Sequence, residues 1–151
     1  MTNAILRAYR AGIRLQRVEL LLPLIGATDL DDWPGGIQQQ FKAAQPMVEK
    51  LLLKLKMEPG LEGRLNPSFL DTGDAVALWS SENISCAVFA TGETLPAIRK
   101  DSEGKKLTVV INPQWNASSG PASGNIFSDF GFGQVRIYAY MKTIEAVGWD
   151  Q

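Results

Sequence analysis

The chain has 151 residues, a formal net charge of −1 and 45% hydrophobic residues, which is enough for one domain with its own core but not for two. A near-neutral charge and a pI near 5.5 exclude a typical nucleic-acid-binding protein, because phosphate binding requires a clustered cationic excess. The chain has no histidine and one cysteine, which excludes an internal disulfide and Ser-His or Cys-His catalysis, and we expect no cofactor.

The N-terminal pattern predicts a helix over residues 3–12, with Ile5, Leu6 and Tyr9 on one side and Gly12 as a stop. If helical geometry continued past Gly12, four arginines would form a basic stripe: Arg7, Arg10, Arg14 and Arg17. The stripe is either a solvated face or a docking surface for an acidic partner or anionic lipid headgroups. Residues 17–22 then predict the first strand, which Pro23 ends.

An acidic loop over residues 27–36 separates this strand from a long helix. Its carboxylates, Asp29, Asp31 and Asp32, lack the further oxygen ligands and closing glutamate of a calcium loop, so capping and solubility are the favoured roles. Helical periodicity runs over residues 37–57. Pro46 interrupts it, so the sequence predicts either a kinked helix or two helices that meet there.

The middle of the chain predicts a Pro/Gly-rich connection over residues 58–74, then short strands over residues 75–79 and 84–90. Asp71 and Asp74 close the connection; a general acid and base pair is possible chemistry, but turn and cap roles are favoured. Cys86 is interpreted as a small core residue and not as a reactive thiol. A short helix over residues 94–99 follows.

Residues 107–111 predict a strand buried on both faces, which places it in the middle of the sheet. Asn112 and Pro113 end this strand, so Gln114 and Trp115 are expected to project from its carboxyl end. In open α/β sheets that end is where ligands and partners bind. After a flexible linker, residues 126–133 alternate aromatic rings with small and acidic residues, including Asp129, Phe130 and Phe132.

These elements together predict an α/β fold: a single three-layer domain with a mostly parallel open sheet. A helix of this length after the first strand is what a crossover between parallel strands requires.

Three stretches, in this order and spacing, carry a resemblance to a known family: RVELLLP (residues 17–23), LDTGDAVALW with CAVFATGETLPAI (residues 70–98), and VVINPQW with SDFGFG (residues 109–133). They resemble the plastid domain-of-unknown-function family that includes the low photosystem II accumulation proteins and the C-terminal extension of a chloroplast adenylate kinase. The resemblance implies a location in the chloroplast stroma or at the thylakoid surface. It also implies a role in photosystem II assembly together with a membrane insertase. It implies no catalytic residues.

Residues 134–151 depart from the family pattern, so we divide the chain into an α/β domain over residues 1–133 and a divergent tail over residues 134–151. Gln134-Val135-Arg136 is how a retained intron would be translated after an exon that ended in a CAG codon. We therefore expect a C-terminal truncation. The first residues lack the long serine-rich leader of an organelle precursor, so we expect either that the protein stays where it is made or that a transit peptide is absent from this sequence.

The leading functional hypothesis is a non-enzymatic assembly factor that binds a protein partner, either a photosystem II assembly intermediate or the insertase, with possible peripheral thylakoid contact and no nucleic acid. Aromatic residues beside flexible glycines suit such an interface. The predicted contact residues are Asn112, Gln114, Trp115, Asp129, Phe130, Phe132, Arg7, Arg10 and Arg14. An alternative is that the rings only close the core. A second functional class is a nucleotide-linked regulatory or enzymatic α/β domain, although the phosphate loop of such proteins is missing.

Overall fold

The structure is a computed structural model that describes residues 2–21, 36–104, 106–114 and 136–140. The helices in these ranges are α1 (Thr2–Arg10), α2 (Gly36–Leu55) and α3 (Leu95–Asp101), and a 3₁₀ turn, Gly92–Thr94, leads into α3. The strands are β1 (Leu15–Leu21), β2 (Asn66–Asp71), β3 (Val76–Ser80), β4 (Ile84–Val88), β5 (Leu107–Ile111) and β6 (Arg136–Tyr140).

The strands form one six-stranded sheet in the order β2-β3-β4-β5-β1-β6. Neighbouring strands from β4 to β6 are all parallel, whereas β2, β3 and β4 pair antiparallel. The β4–β5 and β1–β2 connections contain α3 and α2 respectively, as parallel crossovers require. The sheet is therefore mostly parallel, with a hairpin added at one side.

Helices cover both faces of this sheet. On one face α1 and α2 bury residues such as Ile5 and Val48 against Val109 of β5. On the other face α3 packs Leu95 and Ile98 against a second core. This arrangement of helices, sheet and helix confirms the predicted three-layer α/β domain.

Strand β5 is the predicted central element, and the structure confirms it. All five of its residues are buried, and it pairs in parallel with β4 on one side and β1 on the other. Val109 faces the α1 and α2 side and Val110 faces α3, so the strand contributes to both cores. A short β-branched run of this kind is stable only where both faces are covered.

Strand β2 was not predicted, because the connection over residues 58–74 was expected to hold no strand. Asn66–Asp71 instead pairs antiparallel with β3, with a register shift between Phe69 and Asp71. Proline and exposed residues weaken the local strand signal, but an edge strand tolerates both. Pairing with β3 therefore decides the conformation of this segment.

Helix α2 runs without interruption from Gly36 to Leu55, with Pro46 inside it. Pro46 has no N–H, so the carbonyl of Lys42 loses its usual partner in the helix. Pro46 lies on the exposed side, where water can bond that carbonyl. Of the two alternatives that Pro46 leaves open, the structure therefore excludes two separate helices.

The predicted basic stripe does not form as one helical row. Helix α1 ends at Arg10, Gly12 has a φ of 93°, and β1 begins at Leu15. Arg17 consequently lies on a strand, where it is buried and pairs with Glu19 at 3.3 Å. The four arginines do not share one helical face because Gly12, in the left-handed region, ends the helix before Arg14 and Arg17.

Strand β6 lies within the segment that we predicted as a divergent tail. Arg136–Tyr140 pairs in parallel with β1, with Arg17 opposite Arg136 and Leu21 opposite Tyr140. The sheet therefore continues past residue 133 and places β6 at its second edge.

Candidate functional site at the carboxyl edge of the sheet

The parallel strands β4, β5 and β1 end at the same edge of the sheet, which we call the carboxyl edge. The connection that leaves β4 crosses one face through α3, and the connection that leaves β1 crosses the other face through α2. In open α/β sheets such a change of side marks the crevice where ligands and partners bind. The candidate site is therefore the end of β5, which lies between β4 and β1.

Asn112 directly follows β5 and fastens that strand to β1. Its backbone N–H donates to the carbonyl of Val18 at 2.9 Å. Its side-chain amide donates to the carbonyl of Leu20 at 2.9 Å, and its Oδ1 accepts from the N–H of Leu20 at 2.6 Å. The amide thus replaces a rung of the strand ladder beside Pro113, which has no N–H. Asn112 closes the crevice between β5 and β1.

Gln114 fastens the same turn to the other side of the sheet. Its Nε2 donates to the carbonyls of Phe89 and Asp74, each at 2.8 Å. Its backbone N–H donates to the carbonyl of Ala90 at 2.8 Å. The residue therefore connects the end of β5 with the end of β4 and with the turn before β3, although Gln114 itself is exposed.

Three residues at this edge hold a strained backbone conformation. Ala75, Phe89 and Asn112 have φ values of 54°, 59° and 46°, and no other non-glycine residue in the described ranges has a positive φ. Each such residue costs on the order of 1–3 kcal/mol and persists only where surrounding contacts determine it. The Gln114 amide bonds the carbonyl of Phe89 itself and that of Asp74, which precedes Ala75. The amide of Gln114 therefore holds the peptide groups beside two of these three residues.

Four of the predicted contact residues cannot be placed against this surface. Trp115, Asp129, Phe130 and Phe132 lie outside the described residues, as does the acidic loop that contains Asp29, Asp31 and Asp32. The described turn does fix the point from which the chain continues to Trp115, because the backbone and side chain of Gln114 are both hydrogen-bonded.

The structure does not bring the predicted arginines to the carboxyl edge. Arg14 precedes β1, and its carbonyl accepts from the N–H of Thr108 at the opposite end of β5. Arg10 binds the Glu58 carboxylate through two nitrogens, at 2.6 and 2.8 Å. This hydrogen bonding lowers the pKa of Glu58 and raises the pKa of Arg10. Arg7 is exposed on α1.

The acidic pair and the cysteine have the structural roles that the sequence favoured. Oδ1 of Asp71 accepts from the backbone N–H of Asp74 at 3.1 Å, which stabilises the turn between β2 and β3. Cys86 lies in the core, and burial raises the pKa of its thiol to about 12. It is therefore an unreactive core residue at neutral pH.

A polar cluster at the opposite end of the sheet had no counterpart among the sequence predictions. The hydroxyl of Ser80 donates to Asp101 at 2.7 Å and accepts from Lys106 at 3.3 Å, and Lys106 lies 3.5 Å from Asp101. In the sequence, residues 100–106 show only a run of charged and turn-forming residues. The pairing across the sheet that aligns Ser80 with them leaves no local signal. The positive φ values of Ala75 and Phe89 likewise have none, because neither residue type favours that region.

Comparisons of the chain with protein-family models, curated proteins and solved structures gave no match. Among the described residues there is no group of three or more acidic or cysteine side chains placed to hold a metal ion. In the same part of the chain, no helix combines the length and the apolar character needed to cross a membrane. Fold and site thus define a three-layer α/β domain with three hydrogen-bonded, left-handed residues at its carboxyl edge.

Proposed function

We propose that this protein binds a partner protein at the carboxyl edge of its sheet and assists the accumulation of photosystem II at the thylakoid surface of the chloroplast. The partner is an assembly intermediate of a photosystem II core subunit or the insertase that delivers it. The resemblance of the stretches RVELLLP, VVINPQW and SDFGFG to the low photosystem II accumulation proteins supplies this partner class.

The observation that carries the binding role is the strain held at the carboxyl edge. Three left-handed residues lie at this edge, and the amide of Gln114 secures two of the peptide groups around them. Strain of this kind is characteristic of sites where a surface is held in its binding geometry before a partner arrives. Gln114 is the last described residue at this edge and Trp115 follows it in the sequence; large aromatic side chains are common anchors of protein interfaces.

The geometry favours a protein partner over a nucleotide in the crevice between β5 and β1. A nucleotide-linked domain is the second hypothesis, and the change of side between the two crossovers favours it. However, the amide of Asn112 occupies that crevice through its two hydrogen bonds to Leu20. A nucleotide there would have to break both bonds, whereas a protein can dock across the outer side of the turn. Titration calorimetry with ATP, ADP and AMP separates the two, since measurable heat of binding would favour the nucleotide hypothesis.

The main test replaces Trp115 by alanine. Immobilised wild-type protein should capture photosystem II core subunits or the insertase from detergent-solubilised thylakoids, as identified by mass spectrometry. Trp115→Ala should reduce that capture by about fivefold or more, as expected for an aromatic anchor. Its melting temperature should stay within a few degrees of wild type.

Met57→Ala is the matched control, because it removes a large exposed apolar side chain from the turn after α2, which contacts Arg10 near the start of β1 and not the end of β5. It should capture as well as wild type does. Equal capture by Trp115→Ala and wild type would contradict the assignment of Trp115 as a partner contact. Capture by the wild type of proteins unrelated to photosystem II would contradict the partner class.

A further inference from the structure

Two exposed large hydrophobic residues of the described chain lie where helix α2 meets the edge strand β2. Leu53 of α2 is 59% exposed and lines a groove between the two elements, and Phe69 of β2 is 52% exposed, with its ring 5.3 Å from that of Phe41 in α2. Single exposed apolar residues need no explanation, but residues grouped along one junction indicate an interaction surface. We call this surface the α2–β2 seam.

A groove of about 350 Å³ lies within the seam, and its volume falls at the lower end of the range for binding pockets, roughly 300–1,000 Å³. Its apolar lining consists of Leu52, Leu53, Leu65, Pro67 and Trp79. Trp79 and Leu52 belong to the buried core, so they form a floor that cannot easily move. Leu53 is a rim that a partner can cover.

The edge strand is unsuited to pairing with a strand of a partner. Pro67 has no N–H to donate, and the register shift between Phe69 and Asp71 makes the edge irregular. Both features prevent a continuous intermolecular ladder. A partner must therefore bind through its side chains, as an amphipathic helix does when it lies in an apolar groove.

The charges around the groove favour an acidic partner. Two cations, Lys56 and Arg64, line it, against one acid, Glu49. Neither Lys56 nor Arg64 forms an ion pair or a side-chain hydrogen bond with another described residue. Glu49, in contrast, accepts from Gln45 at 3.3 Å. The two cations are thus available to carboxylates that flank an apolar side chain.

From this geometry we propose that the α2–β2 seam binds an acidic amphipathic helix of a partner protein. Apolar side chains of that helix enter the groove over Trp79, and its carboxylates pair with Lys56 and Arg64. The groove does not include Asn112 or Gln114, which form the site at the carboxyl edge. A test of the groove can therefore fail or succeed independently of the function proposed above.

A designed peptide tests the site with the full-length protein. The probe is an amphipathic helical peptide of about 20 residues with leucines three and four positions apart on one face and glutamates on both sides of them. A second peptide carries lysines in place of the glutamates. Fluorescence anisotropy should show binding of the glutamate peptide that weakens with added salt, and at least tenfold weaker binding of the lysine peptide. Backbone amide shifts in NMR spectra should cluster at Leu53, Leu65 and Trp79.

Two variants separate the apolar contact from the charge contact. Leu53→Ser removes an exposed side chain, so the fold should persist while affinity for the glutamate peptide falls by about fivefold or more. The double variant Lys56→Glu with Arg64→Glu should no longer bind the glutamate peptide and should bind the lysine peptide more tightly than wild type does. Lys50→Glu is the matched control, since Lys50 is exposed on α2 but does not line the groove; it should change neither affinity by more than about twofold.

The proposal is overturned if both peptides bind equally, if Leu53→Ser binds like wild type, or if no binding occurs. It is also overturned if sedimentation velocity shows a dimer that Leu53→Ser dissociates, because the occupant of the seam would then be a second copy of this chain.

Discussion

At the scale of single residues, Asn112 combines a backbone conformation and a hydrogen-bonding role that few side chains can supply together. Its φ of 46° lies in the left-handed region, which asparagine tolerates better than most residues. From that conformation its amide reaches both backbone groups of Leu20. The residue predicted as a partner contact therefore has a clear positioning role at the carboxyl edge.

Asn112→Ala should destabilise the protein by about 2–3 kcal/mol, because it leaves the buried N–H of Leu20 unpaired and replaces asparagine by a residue that tolerates the left-handed region less well. Asn112→Gly loses the same hydrogen bonds, but glycine adopts a positive φ without strain. Its loss of unfolding free energy should therefore be about 1 kcal/mol smaller than that of Asn112→Ala. Urea unfolding measures both values.

Asn66→Ala is the control for this pair, since it alters an exposed asparagine on β2 and should stay within about 0.5 kcal/mol of wild type. Equal losses for the alanine and glycine variants at position 112 would show that backbone strain contributes nothing there.

At the scale of elements, an ion pair fastens α1 to the turn after α2. Arg10 ends α1, and Glu58 follows the last turn of α2, so their two hydrogen bonds link segments that are 48 positions apart. Tyr9 adds a close approach at the same place, because a Cβ on Gly60 would lie 3.1 Å from its hydroxyl. The φ of 96° is what favours glycine there, and an added Cβ would also press on the Tyr9 hydroxyl.

The contribution of this ion pair should depend on pH. The folded pKa of Glu58 is lower than the unfolded value, so its stabilisation is present above the ordinary glutamate pKa of about 4.3 and is lost as pH falls through the folded pKa. The difference in urea midpoint between wild type and Arg10→Ala should therefore be largest near neutral pH and vanish in acid.

Arg7→Ala is the matched control for this experiment, because Arg7 is an exposed arginine on the same helix. Its midpoint should differ little from wild type, with no such pH dependence. A difference for Arg10→Ala that persists unchanged into acid would mean that Glu58 is not its partner.

At the scale of the whole molecule, two cores share one sheet. The larger core lies under α1 and α2 and the smaller one under α3, and β5 contributes residues to both. Strand β2 lies at one sheet edge, with most of its residues exposed. Stability should therefore be highest in the centre of the sheet and fall toward this edge.

Hydrogen exchange measured by NMR tests this gradient. The amides of Val109 and Val110 should exchange through global unfolding and rank among the slowest in the chain, because β5 is buried and paired on both sides. Amides of β2 should exchange by local opening, at least tenfold faster. Exchange of β5 as fast as that of β2 would show that β5 is not the central element of the stable core.

The sequence by itself determined the elements whose pattern is local. The β-branched run Leu107–Ile111 has to be covered on both faces, and the apolar stripe over residues 37–57 requires a helical conformation. Whether Pro46 divides that helix stayed open in the sequence, and the structure shows one continuous helix. The three-layer α/β class follows from strands that alternate with such helices. Cys86 and the turn between Asp71 and Asp74 were also predictable, because their roles depend on neighbours along the chain.

Only the tertiary structure decided the features that depend on pairing between distant residues. Strand β2 exists because β3 lies beside it, and Arg17 is buried because β1 begins after a left-handed glycine. The positive φ values of Ala75 and Phe89 accompany the bonds that Gln114 makes to their surroundings. The α2–β2 seam likewise arises only when a helix and an edge strand that are separate in sequence pack together. Such contacts join different elements, from 5 to 14 positions apart between β2 and β3 and 40 positions apart between Gln114 and Asp74, and no local propensity encodes them.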